Sequence, residues 1–69
     1  MKLSIRNQLP GEVVDVTLGA VSAIVKVKLD GGEQVITSSI TKEAAEDLGL
    51  EPGMRVTALI KSSEVSLGV

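Results

Sequence analysis

The sequence predicts an all-β fold with one short helix. Three observations carry that expectation. Val21 to Leu29 alternates apolar with polar side chains almost throughout, the pattern of a half-buried strand. Glycine-bearing turn signals, Asp30-Gly31-Gly32 and Pro52-Gly53, punctuate similar stretches. Only Lys42 to Leu48 has helical spacing.

The elements follow in order. Ser4 to Gly11, SIRNQLPG, is a polar lead-in whose Pro10-Gly11 is expected to turn the chain. Glu12 to Leu18 is β-branched and alternates in its second half, so it is a strand, broken by Gly19-Ala20. In the next strand Val21, Ala23, Val25, Val27 and Leu29 point one way. Ser22, Ile24, Lys26 and Lys28 point the other, and apolar Ile24 on that polar face suggests contact with another chain. Asp30-Gly31-Gly32 makes a hairpin, because glycine accepts positive φ without steric cost, and Glu33 to Ile40 returns. Thr41 is a good N-cap, Glu43 suits the first helical turn, and Ala44, Ala45 and Leu48 form one apolar stripe ahead of Gly49 at C′. Glu51-Pro52-Gly53-Met54 favours a type II turn, with Pro second and Gly third. Arg55 to Lys61 is a strand, Ser62-Ser63 interrupts it, and Glu64 to Val69 is a short last strand. About five strands with one helix between the third and fourth make a small OB-like β-barrel, closed or partly open. Residues 1–69 form one domain, with no linker and no repeat.

Composition narrows what such a barrel can do. At 69 residues a single core rarely supplies more than about 3–5 kcal/mol without disulfides, metals or oligomerisation. The chain has no cysteine and no histidine, which removes disulfides, thiolate sites and the commonest neutral metal ligand. Oligomerisation is left. The chain is 43% apolar with no aromatic residue, more aliphatic surface than so small a body can bury, so part of it is expected at a subunit interface. Net charge is −2, without the basic face of a general nucleic-acid binder, and there are no aromatic platforms for stacking bases. Lys2 is the only charge before a short, interrupted apolar stretch, and no run is long enough to span a bilayer. A cytoplasmic location with no membrane partner is the expectation.

Catalytic equipment is sparse. Without His or Cys no Ser-His or Cys-His pair exists, and Glu43, Glu46 and Asp47 read as a solvated helix face. Binding of an oxyanion survives this filter. A tetrahedral dianion offers only acceptors, so its site needs Arg or Lys charge, serine hydroxyls and backbone N–H groups free of sheet pairing. Such groups concentrate at Ser4-Ile5-Arg6-Asn7-Gln8 and at Lys61-Ser62-Ser63. The two segments can meet within one subunit or across an interface.

SIRNQLPGEVVDV, followed by GAVSAIVKVKL, resembles the opening of the molbindin family, small proteins built from the Mop domain. The family pattern Ser-x-Arg-Asn-x-Leu-x-Gly-x-Val is met by Ser4, Arg6, Asn7, Leu9, Gly11 and Val13. Leu48-Gly49-Leu50, the Pro52-Gly53 turn and the closing ALIKSSEV follow in the family's order, so the resemblance covers essentially the whole chain. Ile5, where alanine is common, and Pro10, at a variable position, are minor departures. The resemblance implies a homo-oligomer, typically a hexamer arranged as a trimer of dimers, that binds molybdate and often tungstate at subunit interfaces for molybdenum storage or homeostasis. Molybdenum would be held as the oxyanion, not as a ligated metal ion. Ser4 and Arg6 match one part of the family's oxyanion site, and Lys61 and Ser62 match the part supplied by another segment, from a neighbouring subunit. A second class of oxyanion site falls on Gly19-Ala20-Val21-Ser22. The alternative from another class is an oligomeric assembly module with a protein partner and no small ligand.

Overall fold

A computed structural model describes residues 1–69. Four antiparallel strands form one curled sheet in the order β3-β2-β1-β4: β1 (Asn7–Leu18), β2 (Ser22–Leu29), β3 (Val35–Thr41) and β4 (Arg55–Ile60). Helix α1 (Lys42–Leu48) joins β3 to the turn before β4. The all-β class and the OB-like architecture are as the sequence predicts. The strand count differs, because the chain closes only half of a barrel.

The first difference lies in β1, the longest strand at 12 residues. Pro10-Gly11 does not turn the chain; both lie inside the strand, opposite Thr57 and Val56 of β4. Proline is tolerated because a strand residue's N and C=O face the same neighbour. The Pro10 carbonyl accepts from the Asp30 N–H at 3.0 Å, beyond the end of β2, so its missing donor removes no bond from the β4 ladder. The first half of β1 pairs with β4 and the second with β2, and both ladders include Gly11 and Glu12. A β-bulge separates Val13, opposite Val27, from Asp15, opposite Lys26. It accounts for the two adjacent valines: Val13 is buried and Val14 is turned outward, and the inward phase resumes at Val16.

Local signals are realised closely elsewhere. The Thr41 hydroxyl accepts from the Ala44 N–H at 3.0 Å. Gly49 closes α1 in the left-handed region at φ 64°; its N–H donates to the Glu46 carbonyl and the Leu50 N–H to the Ala45 carbonyl, a Schellman end. The Met54 N–H closes the Glu51-Pro52-Gly53-Met54 turn onto the Glu51 carbonyl at 3.2 Å, with Gly53 at φ 94°, as a type II turn requires. The β2–β3 hairpin is longer than expected, since β3 begins at Val35 rather than at Glu33.

The second difference is the C-terminus. The expected last strand, Glu64 to Val69, is absent. Ser62–Glu64 is a single 3-10 turn and residues 65–69 join no ladder. The sheet therefore keeps two free edges, β3 and β4, around an open concave face. A core of Val13, Val25 and Val27 sits at its floor, with Val16, Leu29, Ile36, Ile40, Leu50 and Val56 packed around it. Only 6 of the 69 residues are buried, so one chain does not finish its own core.

Candidate functional site

The antiparallel register brings the two predicted donor segments to one end of the sheet. The β1–β4 ladder ends at Asn7 opposite Ile60, which makes Arg6 and Lys61 the next residue on each strand. The Asn7 Nδ2 donates to the Ile60 carbonyl at 3.0 Å and pins this end. The Gln8 Nε2 donates to the Ile5 carbonyl at 2.7 Å and braces the lead-in. Asn7 and Gln8 thus spend their amides inside the subunit, and Ser4, Arg6, Lys61 and Ser62 stay exposed.

Donors at this end are free. The N–H groups of Ser4, Ile5, Arg6 and Lys61 make no backbone hydrogen bond. In the 3-10 turn the Lys61 and Ser62 carbonyls accept from Glu64 and Val65, so they are turned away from any anion held by the N–H groups at the start of that turn. Neither the Arg6 guanidinium nor the Lys61 ammonium has a carboxylate partner; the ion pairs of the chain are Lys28–Glu33 and Arg55–Asp30. A chain of net charge −2 thus keeps two unneutralised cations beside two serines and a row of free amides. Every group here donates, so the arrangement suits an acceptor-only anion.

The other segment, Gly19-Ala20-Val21-Ser22, lies at the far end of β1. Its geometry is a tight reversal: the Gly19 N–H donates to the Ser22 carbonyl at 2.8 Å and the Val21 carbonyl accepts from the Lys42 N–H at 2.8 Å. Ala20 and Val21 keep their N–H groups free, without a charged side chain in the segment. The structure does not bring this segment to the junction of Ser4–Arg6 with Lys61–Ser62, which lies at the opposite end of β1.

One charged cluster goes unmarked in the sequence. Arg55 holds the Asp30 carboxylate with both guanidinium nitrogens, and Glu12 lies opposite both Arg55 and Lys28 in the ladders. The Arg55 hydrogen bond, reinforced by its charge, holds the Asp30 carboxyl below the usual carboxylate range, and Asp30 with Glu12 raises Arg55. These charges neutralise one another and tie the β2–β3 hairpin to β4. The only advance signal would have been the register itself. No group of three or more acidic residues forms that could ligate a metal ion.

The chain as a whole is similar to known proteins. A family model described as the TOBE domain matches residues 3–67. The chain is 44% identical over 69 residues to a probable molybdenum-pterin-binding protein of Haemophilus influenzae, covering 100% of this chain and 99% of the relative. The chain belongs to the molbindin family. Two solved structures are similar to this molbindin. A molybdate-binding protein from Sporomusa ovata superposes with TM-score 0.91 at 33% identity, covering all of both chains. The cytoplasmic molybdate-binding protein ModG, solved with molybdate bound, gives TM-score 0.92 at 51% identity over the whole of this chain and 48% of ModG.

Proposed function

We propose that this molbindin binds molybdate, and tungstate with it, as a cytoplasmic molybdenum store, at sites between the subunits of a homo-oligomer of hexameric, trimer-of-dimers type. The observation that carries the reading is the junction of Ser4–Arg6 with Lys61–Ser62 at one sheet end, with unpaired cations and free amides. Full-length likeness to proteins named for molybdate or molybdenum-pterin binding supports it. The mechanism is binding, not catalysis. Lys61 supplies charge that favours a dianion, Ser4 and Ser62 donate hydroxyls, and the amides around Arg6 and Ser62 fix the oxygens. Arg6 contributes its N–H, its guanidinium, or both. Gly19-Ala20-Val21-Ser22 forms the second oxyanion site, through amides alone.

Equilibrium dialysis against molybdate, tungstate, sulfate and phosphate, read by elemental analysis, tests this. Molybdate and tungstate are retained at micromolar concentration in a fixed ratio to protein. Lys61→Ala weakens retention at least tenfold, about 1.4 kcal/mol, with the oligomer intact. No retention by the wild type would leave the assembly module as the reading. Unchanged retention by Lys61→Ala would move the site elsewhere.

A further inference from the structure

Two side-chain amides hold the peptides that carry the free donors. In a trans peptide the C=O and the next N–H point in opposite directions, so whatever fixes the carbonyl aims the N–H. The Ile5 carbonyl belongs to the same peptide as the Arg6 N–H. It takes no backbone donor and accepts from the Gln8 Nε2 at 2.7 Å. The Ile60 carbonyl belongs to the same peptide as the Lys61 N–H and accepts from the Asn7 Nδ2 at 3.0 Å. The Lys61 carbonyl, on the peptide of the Ser62 N–H, accepts from the Glu64 N–H at 2.8 Å. Each of these three N–H groups is thus backed by a carbonyl that is already occupied.

The arrangement matters most where no ladder fixes the backbone. β1 begins at Asn7 and β4 ends at Ile60, so the Ile5–Arg6 and Ile60–Lys61 peptides lie at or beyond the ends of their strands. An unheld peptide there can rotate and present its carbonyl instead of its N–H, which repels an anion. Only the amino end of an Asn or Gln side chain can face a carbonyl, so the direction of both clasps is set. Donors fixed before the ligand arrives lose less freedom on binding it.

We propose that Asn7 and Gln8 are positioning residues of the oxyanion site, Gln8 aiming the Arg6 N–H and Asn7 aiming the Lys61 N–H. Neither touches the anion. This deepens the proposed function and rests on that reading.

The test titrates molybdate into the full-length chain by calorimetry and follows the Arg6 and Lys61 amide signals by NMR at saturating molybdate. Wild type, Asn7→Ala, Gln8→Met and Gln34→Ala are compared at one protein concentration. Circular dichroism and light scattering check fold and mass before anion is added. Gln8→Met keeps the length of the side chain and removes its donor. Gln34 donates the same kind of bond to the Val35 carbonyl at 3.3 Å, in the β2–β3 hairpin, so Gln34→Ala removes an amide that aims no donor of the site. Asn7→Ala and Gln8→Met each weaken molybdate binding about fivefold, and Gln34→Ala leaves it unchanged. The signals respond crosswise. The anion-induced shift of Arg6 shrinks in Gln8→Met and that of Lys61 shrinks in Asn7→Ala, each with the other shift retained. Wild-type affinity in either variant, both shifts reduced alike, or an equal loss in Gln34→Ala overturns the proposal. If Asn7→Ala changes fold or mass, Gln8→Met decides alone, because the Gln8 side chain is exposed. A wild type that binds no molybdate is a different result: it overturns the anion-binding reading, and the proposal with it.

Discussion

Gly11 is the most crowded glycine of the chain, where β1 lies between β2 and β4. A Cβ there would stand 2.5 Å from the Lys28 carbonyl oxygen and 2.8 Å from a Val27 methyl. The first obstacle is backbone, so relief requires the strands to part. Gly11→Ala is therefore expected to destabilise by about 1–3 kcal/mol, the usual range for overpacking. Gly32→Ala, with nothing within 4 Å of its Cβ, should stay within about 0.5 kcal/mol. Urea midpoints at one protein concentration compare the two, and equal midpoints would refute the steric account. Sequence suggests the opposite role for this glycine. Beside Pro10 it reads as a turn, because the pair's local chemistry is that of turns. What overrides it is nonlocal: the side on which β2 has already ended. In the sequence Asn7 and Gln8 count among the candidate anion donors, whereas the fold spends their amides on the Ile60 and Ile5 carbonyls.

Between elements, the Asp30–Arg55 pair ties the β2–β3 hairpin to β4 across β1. Asp30 ionises more readily in the fold, chiefly through the Arg55 hydrogen bond. Its folded pKa is depressed, so the stabilisation is present above the unfolded carboxylate value of about 3.9 and is lost as pH falls through the folded one. Both groups are largely exposed, so the effect is small. Asp30→Asn should lower the urea midpoint at neutral pH, and wild type and variant should converge as pH drops toward about 2. A gap that widens in acid contradicts the assignment. The elements themselves were legible where their causes are local. Thr41, Gly49 and Pro52-Gly53 specify α1 and the turn after it from within a few residues. The bulge at Val14 was not, because two adjacent valines fit either phase until β2 fixes the register. The last strand was legible as a pattern but not as a position: Val65, Leu67 and Val69 have the alternation, and no edge of their own chain receives it. The donor segments had the same limit. Ser4–Arg6 and Lys61–Ser62 are chemically recognisable in the sequence, whereas their junction needs the pairing of Asn7 with Ile60.

For the whole molecule, the proposed assembly would make stability and association one quantity. Six buried residues and a surface about 1,100 Å² larger than a compact chain of this mass leave a single copy short of core. A protein whose fold is completed by association has a melting temperature that depends on its own concentration. The temperature should climb steadily over a hundredfold range of protein concentration in anion-free buffer, and a flat response would sink the link between excess surface and assembly. An anion held only by the folded, associated chain adds to this by mass action. Molybdate at about a hundred times its dissociation constant contributes about 2.7 kcal/mol per site, which for a domain this small is an upward shift of roughly 10–20 °C. Sulfate at the same concentration carries the same charge with shorter bonds, so it separates general screening from a fitted pocket. If both anions raise the melting temperature equally, the free amides and unpaired cations at the β1–β4 end form only a diffuse positive patch. If molybdate alone does so, and the increment shrinks in Lys61→Ala, then charge and pocket size act together at that end of the sheet.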